Sequence, residues 1–264
     1  MRPPFRARFA LERMFNPQYY RELSKVLASP TAFHRTLLGK LLPSSSREPV
    51  NVYLKDGKTI RVREFWAVYL FDEIFVQQCY EAPAILTRGP INTVIDVGAN
   101  IGFFTMRVKQ IWPQAQVVAV EPHPDNFSFL QEHIELNKLE NVTALQKGVT
   151  EKCGCFDLYL SPRNIAGHSM YKKTDHVIQV ETCTLADVMT LLGPQNTCDL
   201  LKIDCEGCEY PLLTSLTQEI ANRIGCIIFE PEPGLYNVEQ LSQKLTSLGY
   251  HLSRFSNLVV AARA

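Results

Sequence analysis

Residues 94–102 read Val-Ile-Asp-Val-Gly-Ala-Asn-Ile-Gly. An apolar pair, Val94 and Ile95, runs into Asp96, and two glycines follow with three residues between them. Helix-compatible sequence from Phe103 to Gln110 comes directly after. A strand, a tight turn and a helix start are the parts from which a doubly wound sheet builds a ligand site at its carboxyl edge. Gly98 and Gly102 let the backbone approach a ligand with no Cβ in the way. The spacing is not the dinucleotide fingerprint G-x-G-x-x-G, because the middle glycine is missing. D-x-G-x-x-x-G suits a ligand with a ribose and an amino-acid moiety but no pyrophosphate, such as S-adenosylmethionine.

A second carboxylate fits the same ligand. Gln116 to Glu121 is an apolar run of strand length ending in an acid, nineteen positions after Gly102. In doubly wound nucleotide sites an acid at about that distance (roughly 20 residues) accepts hydrogen bonds from ribose hydroxyls. The plain alternative is a strand end facing solvent, and the glycine turn at the right separation argues against it. Pro122 and Pro124 then break the chain before a helix that Asp125 or Asn126 could cap.

A third group lies at 199–209, Asp-Leu-Leu-Lys-Ile-Asp-Cys-Glu-Gly-Cys-Glu. Side chains alternate along a strand, so Lys202 and Asp204 share one face and Leu201 and Ile203 the other. Charges buried there without a function would be costly. A helix dipole accounts for Glu206 and Glu209 near a helix start, but not for Lys202 and Asp204. His168, in the glycine-containing loop 164–170, is a candidate general base for a hydroxyl nucleophile, with an exposed loop histidine as the alternative. Methyl transfer needs little beyond alignment, so a dedicated base is optional.

Eight cysteines in a chain of this length, with no export signal, read as reduced thiols. Cys153-Gly-Cys155 and Cys205-Glu-Gly-Cys208 have the look of metal pairs, but a structural zinc would need them to converge from two strand ends. Cys79, Cys183, Cys198 and Cys226 read as small buried side chains.

These residues need a frame. Strands are expected at 93–97, 116–121, 142–146, 155–160, 177–182, 199–204 and 225–230, with a last pair near 249–262. Helices are expected at 102–111, 125–138, 184–192, 208–222 and 237–248. Strands alternating with helices imply an α/β fold, a mostly parallel sheet with helices on both faces. Ahead of it, residues 50–64 alternate around Asp56-Gly57, a hairpin signal, and 65–86 have helix-like spacing. Residues 1–45 carry mixed helical signals and end in Leu42-Pro-Ser-Ser-Ser46, a linker-like cluster.

The chain is neutral overall, but residues 1–47 carry nine Lys or Arg against two Glu, a net of +7, and the remainder a net of −7. The leader mixes Phe5, Phe9, Leu11, Phe15, Tyr19 and Tyr20 among its charges, which suits docking on the acidic body, or duty as a substrate lid, better than a solvated tail. The acidic body also disfavours nucleic acid, as does the lack of an Asn-Pro-Pro-Tyr type of motif. No stretch approaches the ~18 apolar residues of a membrane span, and no signal-peptide core is visible, so cytoplasmic residence is the expectation.

Together, Val94–Gly102, Val120-Glu-Pro122, Asn141-Val142 and Leu201–Glu209 resemble the FkbM-type family of S-adenosylmethionine-dependent methyltransferases over about residues 65–262. The resemblance implies a seven-stranded class I (Rossmann-like) methyltransferase fold with the last strand antiparallel, reached at residue 65 after an N-terminal extension, 1–64, of helix and hairpin. It implies methylation of a hydroxyl on a small molecule, sugar, lipid or natural product, with S-adenosylhomocysteine as the second product; some relatives act on nitrogen, so an amine or peptide acceptor stays open. Asp96, Gly98, Ala99, Asn100 and Gly102 would then hold the methionine end of the cofactor. Glu121 and Pro122 would hold the ribose, His123 would lie near the adenosine, and Lys147, Gly148 and Val149 would flank the adenine. Asp204 would sit beside the sulfonium, with Lys202, His168 and Glu206 completing the catalytic neighbourhood and Glu206 and Glu209 orienting the acceptor or staying structural. No resident metal is expected. A metal-assisted variant would use Asp204 and Glu230 for Mg²⁺, and an NAD-dependent oxidoreductase is the reading from a different class. The extension could also serve a homodimer.

Overall fold

Asn16 starts the first helix: its carboxamide oxygen accepts the N–H groups of Gln18 and Tyr19, with Pro17 at the first helical position. In the computed structural model, residues 9, 12–13, 16–31, 33, 49–161, 167–193, 195 and 197–263 are described. Phe5, Leu11, Phe15, the 42–46 cluster and residues 164–166 lie outside them. No helix among the described residues is long and apolar enough to cross a membrane.

The chain divides into two units, Met1–Gln78 and Cys79–Ala264. In the first, helix α1 (Pro17–Val26) buries Tyr19 and Leu23. The expected hairpin forms from β1 (Val50–Tyr53) and β2 (Thr59–Val62), Val50 opposite Val62 and Tyr53 opposite Thr59. Helix α2 (Phe65–Phe71) follows and passes into a π-helical turn at Asp72–Val76. The boundary therefore falls at 78, not at the expected 64. Phe65, Val68 and Phe71 of α2 are buried, α2 packs on β2, and the π-helical turn packs on α1, so both belong to the first unit.

The second unit is the α/β frame. Its strands are β3 (Thr93–Val97), β4 (Gln116–Val120), β5 (Val142–Leu145), β6 (Gly148–Thr150), β7 (Gly154–Tyr159), β8 (Val177–Thr184), β9 (Cys198–Ile203), β10 (Ile224–Phe229), β11 (His251–Phe255) and β12 (Leu258–Ala262). Seven of them make one sheet in the order β11-β12-β10-β9-β3-β4-β5. All pairs from β10 to β5 are parallel, and β12 is antiparallel to both its neighbours. This is the class I, Rossmann-like arrangement with the last strand reversed. The central strands are nearly continuous apolar runs, as strands covered on both faces must be. Ile95, Val97, Val120, Leu201, Ile203, Ile227 and Phe229 share a core with Leu212, Leu213, Leu241 and Leu245.

Two expectations shift. The segments near 155–160 and 177–182 do not join the main sheet; β6, β8 and β7 form a separate three-stranded sheet. A parallel return into the main sheet needs a crossover of roughly a dozen residues, and residues 146–153 are too few to supply one. The expected helix 208–222 is two pieces, Glu209–Thr214 and Gln218–Ala221, because Thr217 caps the second by accepting the Ile220 N–H.

Candidate active site

The helix after β3, α3 (Phe103–Ile111), begins at Gly102, which adopts φ +88°. A Cβ there would meet Leu130 Cδ1 at 2.7 Å. At Gly98, φ +74°, a Cβ would fall 1.9 Å from the Asp204 carbonyl oxygen, so only glycine lets the β3 turn and the β9 turn close on each other. Between them, Asn100 takes φ +51° and caps its own turn, its Oδ1 accepting the Ile101 N–H at 2.8 Å.

Glu121, one residue past β4, reaches back to this turn. One carboxylate oxygen accepts the Asn100 N–H and the other the His123 N–H, each at 2.9 Å. Burial pushes its carboxyl up to about 7 against the pull of those two bonds. The helix that follows, α4 (Pro124–Leu136), starts at His123 with Pro124 in the first position, so neither Asp125 nor Asn126 is its cap.

These elements line a cleft that is partly open to solvent. Of the residues singled out from the sequence, Gly98, Asn100, Glu121, Pro122, Lys147, Gly148, Val149, His168 and Asp204 line it. Asp96, Ala99, Gly102, His123, Lys202 and Glu206 are not among the residues that line it. Asp96 is fully buried, taking the Thr105 hydroxyl at 2.7 Å and the Lys202 ammonium at 3.1 Å. Lys202, which pairs in register with Asp96, also donates to the Gly98 carbonyl at 2.7 Å. Burial alone would lower the pKa of Lys202, but Asp96 and then Asp204 hold it above the ordinary value. Both charges thus brace the glycine turn from beneath, and Ala99 packs with Ala119 and Leu130.

The His168 ring lies 4.3 Å from that of His123. Its Nδ1 accepts the Ser161 N–H at 3.0 Å, and burial, then His123, depress its pKa to about 4. Glu206 pairs with Lys172, which also reaches Glu232 at 2.8 Å. Glu209 is buried and accepts the N–H groups of Cys205 and Gly207, at 2.9 and 2.8 Å, so it shapes the turn. Glu230 accepts from Asn257, and burial, then the Asp204 charge, raise it to about 7. Among the described residues, the group of three side chains close enough to share an ion is Cys205, Cys208 and Glu209, without Asp204 or Glu230. Cys205 and Cys208 are joined as a disulfide, contrary to the expectation of reduced thiols: the turn held by Glu209 sets their Cα atoms 5.6 Å apart, within bridging range.

Sequence reading missed the apolar wall supplied by Val97, Val120, Leu158 and Met170, and the contribution of Asn126. It also missed Tyr80, whose hydroxyl donates to Asp204 Oδ2 at 2.5 Å. Tyr80 falls in a stretch whose aromatic spacing reads only as helix, and no local motif marks it.

The sequence profile of the Methyltransferase FkbM domain matches residues 96–252. Methyltransferase 1 of Beauveria bassiana is 28 % identical over 182 residues, covering 61 % of this chain and 72 % of the relative. Methyltransferase sdnD of Sordaria araneosa is 28 % identical over 221 residues, covering 71 % and 83 %. The 2-O-methyltransferase NoeI of Sinorhizobium fredii is 24 % identical over 185 residues, covering 62 % and 74 %. The matched span starts at Asp96 in β3 and takes in the glycine turn, Glu121 and Asp204, so it covers most of the elements that build the cavity, and the protein is a methyltransferase of the FkbM family.

Proposed function

We propose that this protein uses S-adenosylmethionine to methylate a hydroxyl group of a small molecule, sugar, lipid or natural product. The observation that carries this reading is the convergence of Glu121 and Asp204, at the carboxyl ends of β4 and β9, on one cavity floored by the Gly98 backbone. The donor set fits the cofactor. Each Glu121 oxygen holds one backbone N–H, the Asn126 side chain adds a third bond, and the carboxylate still has acceptor capacity for a ribose hydroxyl. Val149, Leu158 and Met170 offer an apolar slot for a purine. When bound, S-adenosylmethionine supplies an electrophilic methyl group on a sulfonium.

The chain's part is to bind, orient and exclude water. His168, neutral down to about pH 4, has little affinity for a hydroxyl proton, and we assign it to the adenosine wall beside His123 rather than to base catalysis. Asp204 is the remaining carboxylate in the cavity able to accept a hydrogen bond from an incoming hydroxyl. An oxygen acceptor is favoured over nitrogen by the 2-O-methyltransferase relative. The test is a mass-spectrometric screen of candidate hydroxylated and amino compounds with S-adenosylmethionine. A product heavier by one methylene unit, with equimolar S-adenosylhomocysteine, supports the reading. Products formed only from amines would transfer it to nitrogen.

A further inference from the structure

Tyr80 has a use that the family resemblance does not supply. Its ring packs edge-on against Phe104 of α3, centroids 5.0 Å apart, and the next residue, Glu81, is tied to Arg107 of the same helix at 2.6 Å. Two successive residues are thereby fixed to the helix that leaves the glycine turn. From that anchorage the Tyr80 hydroxyl reaches Asp204 Oδ2, and the Lys202 ammonium lies 4.0 Å from the same oxygen. Among the described residues no donor is bonded to Oδ1 of Asp204, whose side chain keeps 31 % of its surface exposed in the cavity wall. Burial and the nearby Asp204 charge keep the phenol protonated, so it remains a donor.

We propose that Tyr80 is a positioning residue that occupies one oxygen of Asp204 and so presents the other, with its negative charge, to the cationic sulfonium of the cofactor. The assignment rests on the reading of the cavity given above. A carboxylate bonded on one side by a fixed donor cannot turn freely, and a charge held in place interacts more strongly than one free to swing toward solvent. The consequence is a preference for the sulfonium cofactor over its neutral thioether product. The amino-acid ammonium is common to both and cancels from the ratio of their affinities.

Calorimetric titration of the full chain with S-adenosylmethionine, S-adenosylhomocysteine and sinefungin, which carries an amine near the sulfonium position, reads this directly. Tyr80→Phe keeps the ring and removes the hydroxyl. It is expected to weaken S-adenosylmethionine and sinefungin by about fivefold, the scale of one lost orientational restraint, and to leave S-adenosylhomocysteine within about twofold. Asp204→Asn is expected to lose the same preference, and Tyr80→Phe added to it should change the ratio no further. Equal weakening of all three ligands would show a merely structural tyrosine and overturn the proposal, as would an unchanged ratio in Tyr80→Phe. Wild-type protein that binds none of the three would instead overturn the cofactor reading beneath it, and the proposal with it.

Discussion

The ammonium of Lys202 lies 3.1 Å from a carboxylate oxygen of Asp96, and both side chains are shut off from solvent. The pair bridges neighbouring parallel strands where they meet the glycine turn, and Lys202 also holds the Gly98 carbonyl. Removing one partner leaves a buried charge uncompensated, which costs about 3–5 kcal/mol, whereas replacing both with apolar groups of similar size is often far cheaper. Lys202→Met should therefore destabilise strongly in denaturant unfolding, and adding Asp96→Leu should recover part of the loss. A loss under about 1 kcal/mol for the single variant would mean that solvent reaches the pair.

Gly98 joins this brace to the cofactor cavity. Gly98→Ala adds a Cβ onto the Asp204 carbonyl at 1.9 Å and asks alanine to adopt φ +74°. The left-handed conformation alone costs on the order of 1–3 kcal/mol, and the clash forces the two turns apart. Calorimetric binding of S-adenosylhomocysteine should fall below detection while far-ultraviolet circular dichroism still reports the folded sheet. Retained affinity would place the cofactor elsewhere.

Glu121 braces the turn, and the proposed function also assigns it the ribose. Glu121→Ala should weaken S-adenosylhomocysteine by roughly 1.5–3 kcal/mol, the range for hydrogen bonds to a charged group. Glu121→Gln should recover little, because its amide nitrogen would face the N–H of Asn100 or His123 where an acceptor is needed. A change of a few tenths in the alanine variant would show that the ribose is held by another group.

How far the sequence could be read follows from the range of each interaction. Asp96, the glycine turn, Glu121 and Asp204 were legible because a strand–turn–helix is local and its residue types are fixed by backbone geometry and by charge at a strand end. What the sequence could not separate was contact from support. Asp96 and Lys202 have the residue types of a binding site, and only the parallel register shows that they satisfy each other beneath it. His168 reads as a base from its type and its glycine-containing loop; burial beside His123 depresses its pKa, the observation on which we assign it to the wall instead. Tyr80 meets Asp204 across 124 positions, a pairing no short pattern encodes.

Glu230 gives a pH-dependent test. Its carboxyl is raised from the ordinary 4.5 to about 7, by burial first and by Asp204 second. Between those values the folded state binds more protons than the unfolded chain, so this contribution to stability is full at acid pH and is lost as pH rises through about 7. His168, depressed to about 4, acts in the opposite sense, its contribution being lost as pH falls. Substitution isolates the two. Glu230→Gln should raise Tm relative to wild type above neutral pH and leave it nearly unchanged at about pH 5. An equal shift at both would assign the effect to packing.

The Cys205–Cys208 bridge can be counted. Of eight cysteines, two are joined and Cys79, Cys153, Cys155, Cys183, Cys198 and Cys226 are free. Cys183 and Cys226 are buried with their thiols raised to about 11, and burial raises Cys198 as well, so these three should resist alkylation in the native protein. Cys153 and Cys155 are exposed and should react first. Unfolding without reductant should bring the number of labelled cysteines to six, and reduction to eight, with the last two mapped to the peptide containing residues 205 and 208. Because both half-cystines line the cavity, saturating S-adenosylhomocysteine should slow their reduction by a soluble dithiol. Eight labelled thiols in unreduced, unfolded protein would show that the turn is held by Glu209 and its two N–H partners alone.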